Sequence, residues 1–314
     1  MSSSSSSSAV LQLPGDPPRV RLATDLLALI RPAQWPKNIL VVPLALIDAP
    51  AWHLAGLARL AWAVAVFVVA SALVYVVNDI ADRHRDRGHP RKRDRPVASG
   101  RVPVPVAWGF AGAVGTGLAA LLALHPTLAW PVLVYLALNV AYSAKLKHLP
   151  LLDVFVVSAG FLLRMALGYV ALDVRYSGWL LVSVFTLCLL LSLGKRRYEL
   201  VVASRSHRPS LSGYSLPLID NLLLLNAGLT GMAFLLYMRD EAPLGSHGPL
   251  AMLASVPFAL FGLFRYLQGV LVRQSEGDPV RALLRDRVLV VNSLLWGVLL
   301  AGFLVAARYP ELLS

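Results

Sequence analysis

Residues 60–101 read LAWAVAVFVVASALVYVVNDIADRHRDRGHPRKRDRPVASGR. Up to Val77 the stretch carries no charge, and from Asn78 onward it alternates carboxylates with arginines and lysines. An apolar run of this length reads as a transmembrane helix, because hydrocarbon offers no partner to backbone N–H and C=O groups outside a helix or closed barrel. The abrupt change at Asn78 marks where that helix leaves the bilayer.

The rest of the chain repeats the pattern. Of its 314 residues, 57% are hydrophobic and 15% charged, which excludes an ordinary soluble domain. Spans are expected near 26–47, 59–80, 103–124, 128–142, 151–172, 178–199, 217–238, 249–272 and 287–307, about nine transmembrane helices in an all-α protein. The organisation expected is a disordered serine-rich tail over 1–20 followed by one transmembrane domain over 21–314. The single cysteine, Cys188, falls inside a span and excludes an intramolecular disulfide framework.

The formal net charge of +12 is unevenly distributed. Of 29 Lys and Arg residues, 23 fall on loops of one side, four (Arg59, Arg175, Arg239, Arg308) on the other, and two (Arg164, Arg265) within spans. With nine spans this asymmetry predicts a plasma-membrane protein whose N-terminus and basic loops are cytoplasmic. The surplus positive charge points to headgroups or phosphorylated substrates rather than nucleic acid.

Asn78, Asp82 and Asp86 recur every four residues, so a continuing helix sets them along one face. Two carboxylates and an amide oxygen are too few to cage Ca²⁺, but they suit Mg²⁺, which keeps waters and borrows phosphate oxygens. The alternative is a solvated helix end with ion pairs to Arg83 and Arg87. His89, Lys92 and Arg95 follow in the basic loop and are candidates for phosphate oxygens. Gln34, Lys37 and Asn38 stand at the entry of the first span. Asp153 and Arg164 lie eleven residues apart on one side of the fifth, either as a structural brace or lining a cavity. Lys195, Arg196 and Glu199 end the sixth.

The stretch NDIADRHRDRGHPRKRDRPVASGRV resembles the first aspartate-rich signature of the UbiA superfamily of intramembrane prenyltransferases, NDxxDxxxD followed by RPxxSGR. The resemblance implies helices around a central cavity with a cytoplasmic cap, in which Asn78, Asp82 and Asp86 bind Mg²⁺ and a pyrophosphate, with Asp79 in the same motif. Members that use prenyl diphosphates carry a second aspartate-rich motif after the sixth helix, where this chain has GKRRYEL. Together with RPAQWPKN, YSAKLKHLPLLDVFVVSAGFLLR and HRPSLSGYS, this is similar to the branch containing decaprenyl-phosphate phosphoribosyltransferases.

That branch implies transfer from phosphoribosyl pyrophosphate to a polyprenyl phosphate. Lys37, Lys92 and Arg95 are then expected on the pyrophosphate, and Lys147, Lys195 and Arg196 on the ribose 5-phosphate or the lipid phosphate. Tyr142, Asp153, Arg164 and Glu199 are further substrate-binding candidates, with Asp153 or Glu199 on the ribose hydroxyls. Two rival readings are an aromatic prenyltransferase, which the missing second motif disfavours, and a transporter, which needs no metal ladder.

Overall fold

All regular structure among the described residues is helical, as the apolar composition demands. The computed structural model describes residues 18–40, 46–49, 53–90, 92–202, 209–272 and 285–309. The serine-rich start, residues 1–17, lies outside them. The helices are α1 (Pro18–Leu29), α2 (Leu54–Ala81), α3 (Arg83–Arg87), α4 (Val104–Leu124), α5 (Ala129–Ala144), α6 (Leu152–Leu172), α7 (Gly178–Val202), α8 (Leu216–Asp240), α9 (Gly248–Leu271) and α10 (Arg287–Arg308). Eight segments among the described residues, α2 and α4 to α10, are long and apolar enough to cross a membrane. The chain is a multi-pass membrane protein.

The expected count of about nine is approximate, and at the first expected span, 26–47, the described residues do not form one continuous α-helix. There α1 stops at Leu29, Arg31 turns to φ 49°, and a 3-10 helix runs over Pro32–Leu40. Pro32 and Pro36 lack the N–H that an α-helix needs and clash with the preceding turn. Residues 41–45 lie outside the described residues.

The chain forms two compact units, residues 1–33 with 71–116 and residues 34–70 with 117–314. In the first, Leu29 of α1, Val76 and Ile80 of α2, Val97 and Val102 of the following loop, and Ala107 and Ala111 of α4 form one buried cluster. In the second, successive helices pair from α5 to α10, most extensively α7 with α8. Leu180 meets Tyr237 and Met238, whereas Leu190 meets Ile219 and Leu223, so α7 and α8 run antiparallel. Lipid tails are as apolar as leucine, so these contacts stabilise through close packing rather than removal from water. Asp286 caps α10 by accepting from the N–H groups of Val288 and Leu289, and Arg265 at 2.8 Å holds its carboxyl below the usual range.

Candidate functional site

At the end of α2 the helical hydrogen bonding outlasts the helix itself. Asp82 N donates to Asn78 O and Asp86 N to Asp82 O, both at 2.9 Å, so Asn78, Asp82 and Asp86 share one face as their spacing predicts. Asp79 and Asp86 are buried, whereas Asn78, Asp82 and His89 are half-buried.

Arg95 ties the two buried carboxylates together. Its Nη1 is 2.6 Å from Asp86 Oδ2 and 3.1 Å from Asp79 Oδ1. Arg31 adds a second cation to Asp79 at 2.5 Å and stacks over Tyr75. Lys92 Nζ stands 4.0 Å from Asp86 Oδ1. Arg83 and Arg87 donate to the carbonyls of Ile80 and Ala98.

The RPVASGR stretch explains how Arg95 is delivered. Ser99 Oγ donates to Arg95 O, Gly100 takes φ 81°, and Val102 N returns to Pro96 O at 3.0 Å. That left-handed φ suits glycine, and the turn buries Val97, Ala98 and Val102 beneath it. An arginine on so tight a turn has its backbone fixed before its side chain pairs.

The second unit holds two further groups. Arg164, deep in α6, donates from Nε to Asn38 Oδ1 at 2.9 Å and from Nη1 to Gly160 O at 2.8 Å. Its guanidinium lies 4.8 to 5.1 Å from the ring centres of Phe67, Tyr135 and Phe161. No carboxylate among the described residues pairs with it, so aromatic faces and neutral oxygens stabilise this buried charge. The alternative of an Asp153–Arg164 brace is therefore corrected. Eleven helical residues rise about 16 Å, beyond the reach of a direct pair.

Asp153 is fully buried and accepts from Tyr214 Oη at 2.6 Å and Ser210 Oγ at 3.1 Å, with Arg196 Nε 3.6 Å away. Arg196 Nη1 also pairs with Glu199. Tyr214 Oη in turn accepts from Leu151 N at 2.8 Å, and burial followed by the Asp153 contact pushes its phenol well above the ordinary value. Arg196 is thus flanked by two carboxylates, while among the described residues Arg164 has none. Tyr142, Lys147 and Gln34 are half-buried and Lys195 is exposed. The side chain of Lys37 lies outside the described residues, as do His207 and Arg208 of the HRPSLSGYS block.

Sequence reading did not single out Arg31, Tyr135, Ser210 or Tyr214 as site residues. The last two sit in a quoted block, but nothing in their spacing points to Asp153. Among the described residues no three of His, Cys, Asp and Glu gather as a metal cage. The set that fits a metal is the open one of Asn78, Asp82 and Asp86, all oxygen donors on one face. It suits Mg²⁺ that keeps waters and takes substrate oxygens, and it does not suit a fully caged ion.

Known proteins resemble this chain over most of its length. A model of the UbiA prenyltransferase family matches residues 39–285. The decaprenyl-phosphate phosphoribosyltransferase of Corynebacterium glutamicum is 34% identical over 289 residues, covering 89% of this chain and 86% of that protein. Its counterpart from Mycobacterium tuberculosis is 34% identical over 287 residues, covering 89% and 94%. The solved structure of a UbiA homolog from Archaeoglobus fulgidus, bound to GPP and Mg²⁺, superposes with a TM-score of 0.64 at 16% identity over 91% of this chain and 98% of that one. The chain belongs to the UbiA prenyltransferase family.

Proposed function

We propose that this membrane transferase moves the 5-phosphoribosyl group from phosphoribosyl pyrophosphate to a polyprenyl phosphate, releasing pyrophosphate. Support comes from the near full-length likeness to two decaprenyl-phosphate phosphoribosyltransferases. The observation that carries the choice of donor lies at the end of α7. Asp153 and Glu199, the latter inside the GKRRYEL block, both engage Arg196, so these carboxylates are drawn onto an arginine rather than offered together to a second metal.

The bond from the anomeric carbon to the pyrophosphate oxygen breaks with its electron pair leaving on pyrophosphate, and a lipid phosphate oxygen forms the new bond. The attacking oxygen is already anionic near neutral pH, so positioning matters more than proton removal, and no nucleophilic triad is needed. Asn78, Asp82 and Asp86 would hold Mg²⁺, which when bound supplies positive charge to the leaving pyrophosphate. The Archaeoglobus relative was captured with that ion.

Within this scheme Arg95 and Arg31 fix the carboxylates of Asp79 and Asp86. Arg95 acts chiefly by orienting them, while Lys92, His89 and Lys37 contact the pyrophosphate. Lys147 and Lys195 take a phosphate. Tyr142, Gln34, Asn38, Arg164, Asp153, Arg196 and Glu199 bind or orient the substrates. The basic loops and N-terminus face the cytoplasm of a plasma membrane, on the strength of the charge asymmetry.

The test incubates purified protein in detergent with Mg²⁺ and labelled phosphoribosyl pyrophosphate, offering decaprenyl phosphate in one tube. A parallel tube receives a prenyl diphosphate with 4-hydroxybenzoate. Labelled lipid is expected only in the first, and pyrophosphate release only in the second would overturn the reading. Asp82→Asn or Asp86→Asn is expected to abolish transfer, and near wild-type turnover would remove the metal assignment.

A further inference from the structure

Helices α7 to α10 line a partly open cavity of about 560 Å³ that the bond-making steps proposed above do not use. Its α7 wall includes Leu180, Leu187, Leu190 and Leu191, spaced as one face of a helix. From Leu180 to Leu191 the helix rises about 16 Å, half the thickness of the hydrocarbon layer. Ser183 and Thr230, hydroxyls in the α7 and α8 walls, are bonded within the protein, Ser183 to Thr230 O and Thr230 to Asn226 O. Small residues, Gly231 of α8 and Gly262 of α9, form recesses in an otherwise leucine-rich slot. Its outer wall is thin, because α10 packs along α9 and buries only Leu289.

The last α9 residue of the wall, Tyr266, crosses α7 at Gly194 so closely that a Cβ there would overlap its hydroxyl. Immediately beyond stand Lys195, Arg196 and Arg197. Carboxylates hold the latter two, Arg197 pairing with Asp220 at 2.7 Å, and Lys195 is exposed. A slot half as deep as the hydrocarbon layer, whose α7 wall ends four residues before Lys195, matches a single-chain amphiphile with an anionic head.

The geometry points to this slot as the seat of the isoprenoid chain of the acceptor, its phosphate at the Lys195 turn and its methyl branches in the recesses at Gly231 and Gly262. The assignment rests on the reaction proposed above, of which it names the lipid-binding part. A phospholipid acyl chain or a helix from a second copy are the competing occupants.

The experiment uses a diazirine-bearing polyprenyl phosphate on the detergent-purified full chain, with labelled peptides read by mass spectrometry. Labelling is expected on 180–191 and 259–263, competed by decaprenyl phosphate and not by phosphatidylglycerol. Gly231→Leu, whose Cβ meets only Leu263 at 3.5 Å, should fill the slot and cut labelling about tenfold, and Gly262→Leu should do the same if the first variant melts early. In turnover, either change should weigh about tenfold more on decaprenyl than on geranyl phosphate. Labelling elsewhere, equal competition by phosphatidylglycerol, a crosslink between copies at α10, or an unchanged chain-length preference would each overturn the assignment. Slot labelling without ribosyl transfer would keep the lipid site and sink the reaction.

Discussion

Replacing Arg95 by Gln tests whether the ladder is built to receive a cation. The guanidinium bridges two nearly dry carboxylates, Asp79 and Asp86, whose side chains are each 3% exposed. Breaking a buried ion pair by removing one partner costs about 3–5 kcal/mol. Two features reduce this. Arg95 itself is 27% exposed, and Arg31 and Lys92 remain beside the carboxylates. A loss of about 2–3 kcal/mol is therefore expected, and at roughly 2–4 °C per kcal/mol the melting temperature should fall by about 5–10 °C. The assay is thermal unfolding of wild type and Arg95→Gln in detergent, each in EDTA and in excess Mg²⁺. A divalent ion on Asp82 and Asp86 supplies the missing charge, so Mg²⁺ should close roughly half of the gap. Equal melting of both proteins in EDTA would refute the bridge, and a gap indifferent to Mg²⁺ would refute the metal ladder.

Three other perturbations separate the remaining contacts. Tyr214→Phe keeps the ring but strips Asp153 of a 2.6 Å donor and Leu151 N of its acceptor, so a loss of about 2–4 kcal/mol is expected in denaturation, with Ser210→Ala costing about 1 kcal/mol. Asn38→Asp places a carboxylate 2.9 Å from an arginine that has none among the described residues, and it should raise the melting temperature; a decrease would mean the Arg164 charge is already compensated. Gly194→Ala should destabilise by about 1–3 kcal/mol through overlap with the Tyr266 hydroxyl, and adding Tyr266→Phe should recover part of it.

How much of this was legible in the sequence depends on the distance over which each feature acts. Spans expected at 103–124 and 151–172 are observed as Val104–Leu124 and Leu152–Leu172, because hydrocarbon leaves the backbone no alternative to helix. The ladder at Asn78, Asp82 and Asp86 was equally local. At the first expected span Pro32 and Pro36 interrupt the α-helical ladder over the described part, 32–40, a local effect that the apolar content of 26–47 does not show. The partners of the buried charges were out of reach: Arg31 meets Asp79 across 48 positions and Arg164 meets Asn38 across 126. Spacing correctly set Asp153 and Arg164 on one helix, yet Asp153 bonds Tyr214 and Ser210 and Arg164 bonds Asn38, all on other segments, as expected where burial makes every polar group seek a bond.

The knot of Asp153, Tyr214, Ser210 and Arg196 has a consequence for what change the chain tolerates. It clamps the start of α6 and the segment 209–214 to the end of α7, so three stretches of chain share one buried carboxylate. A single Asp153→Asn change would therefore loosen all three at once, and its cost in denaturation should exceed that of Tyr214→Phe or Ser210→Ala alone.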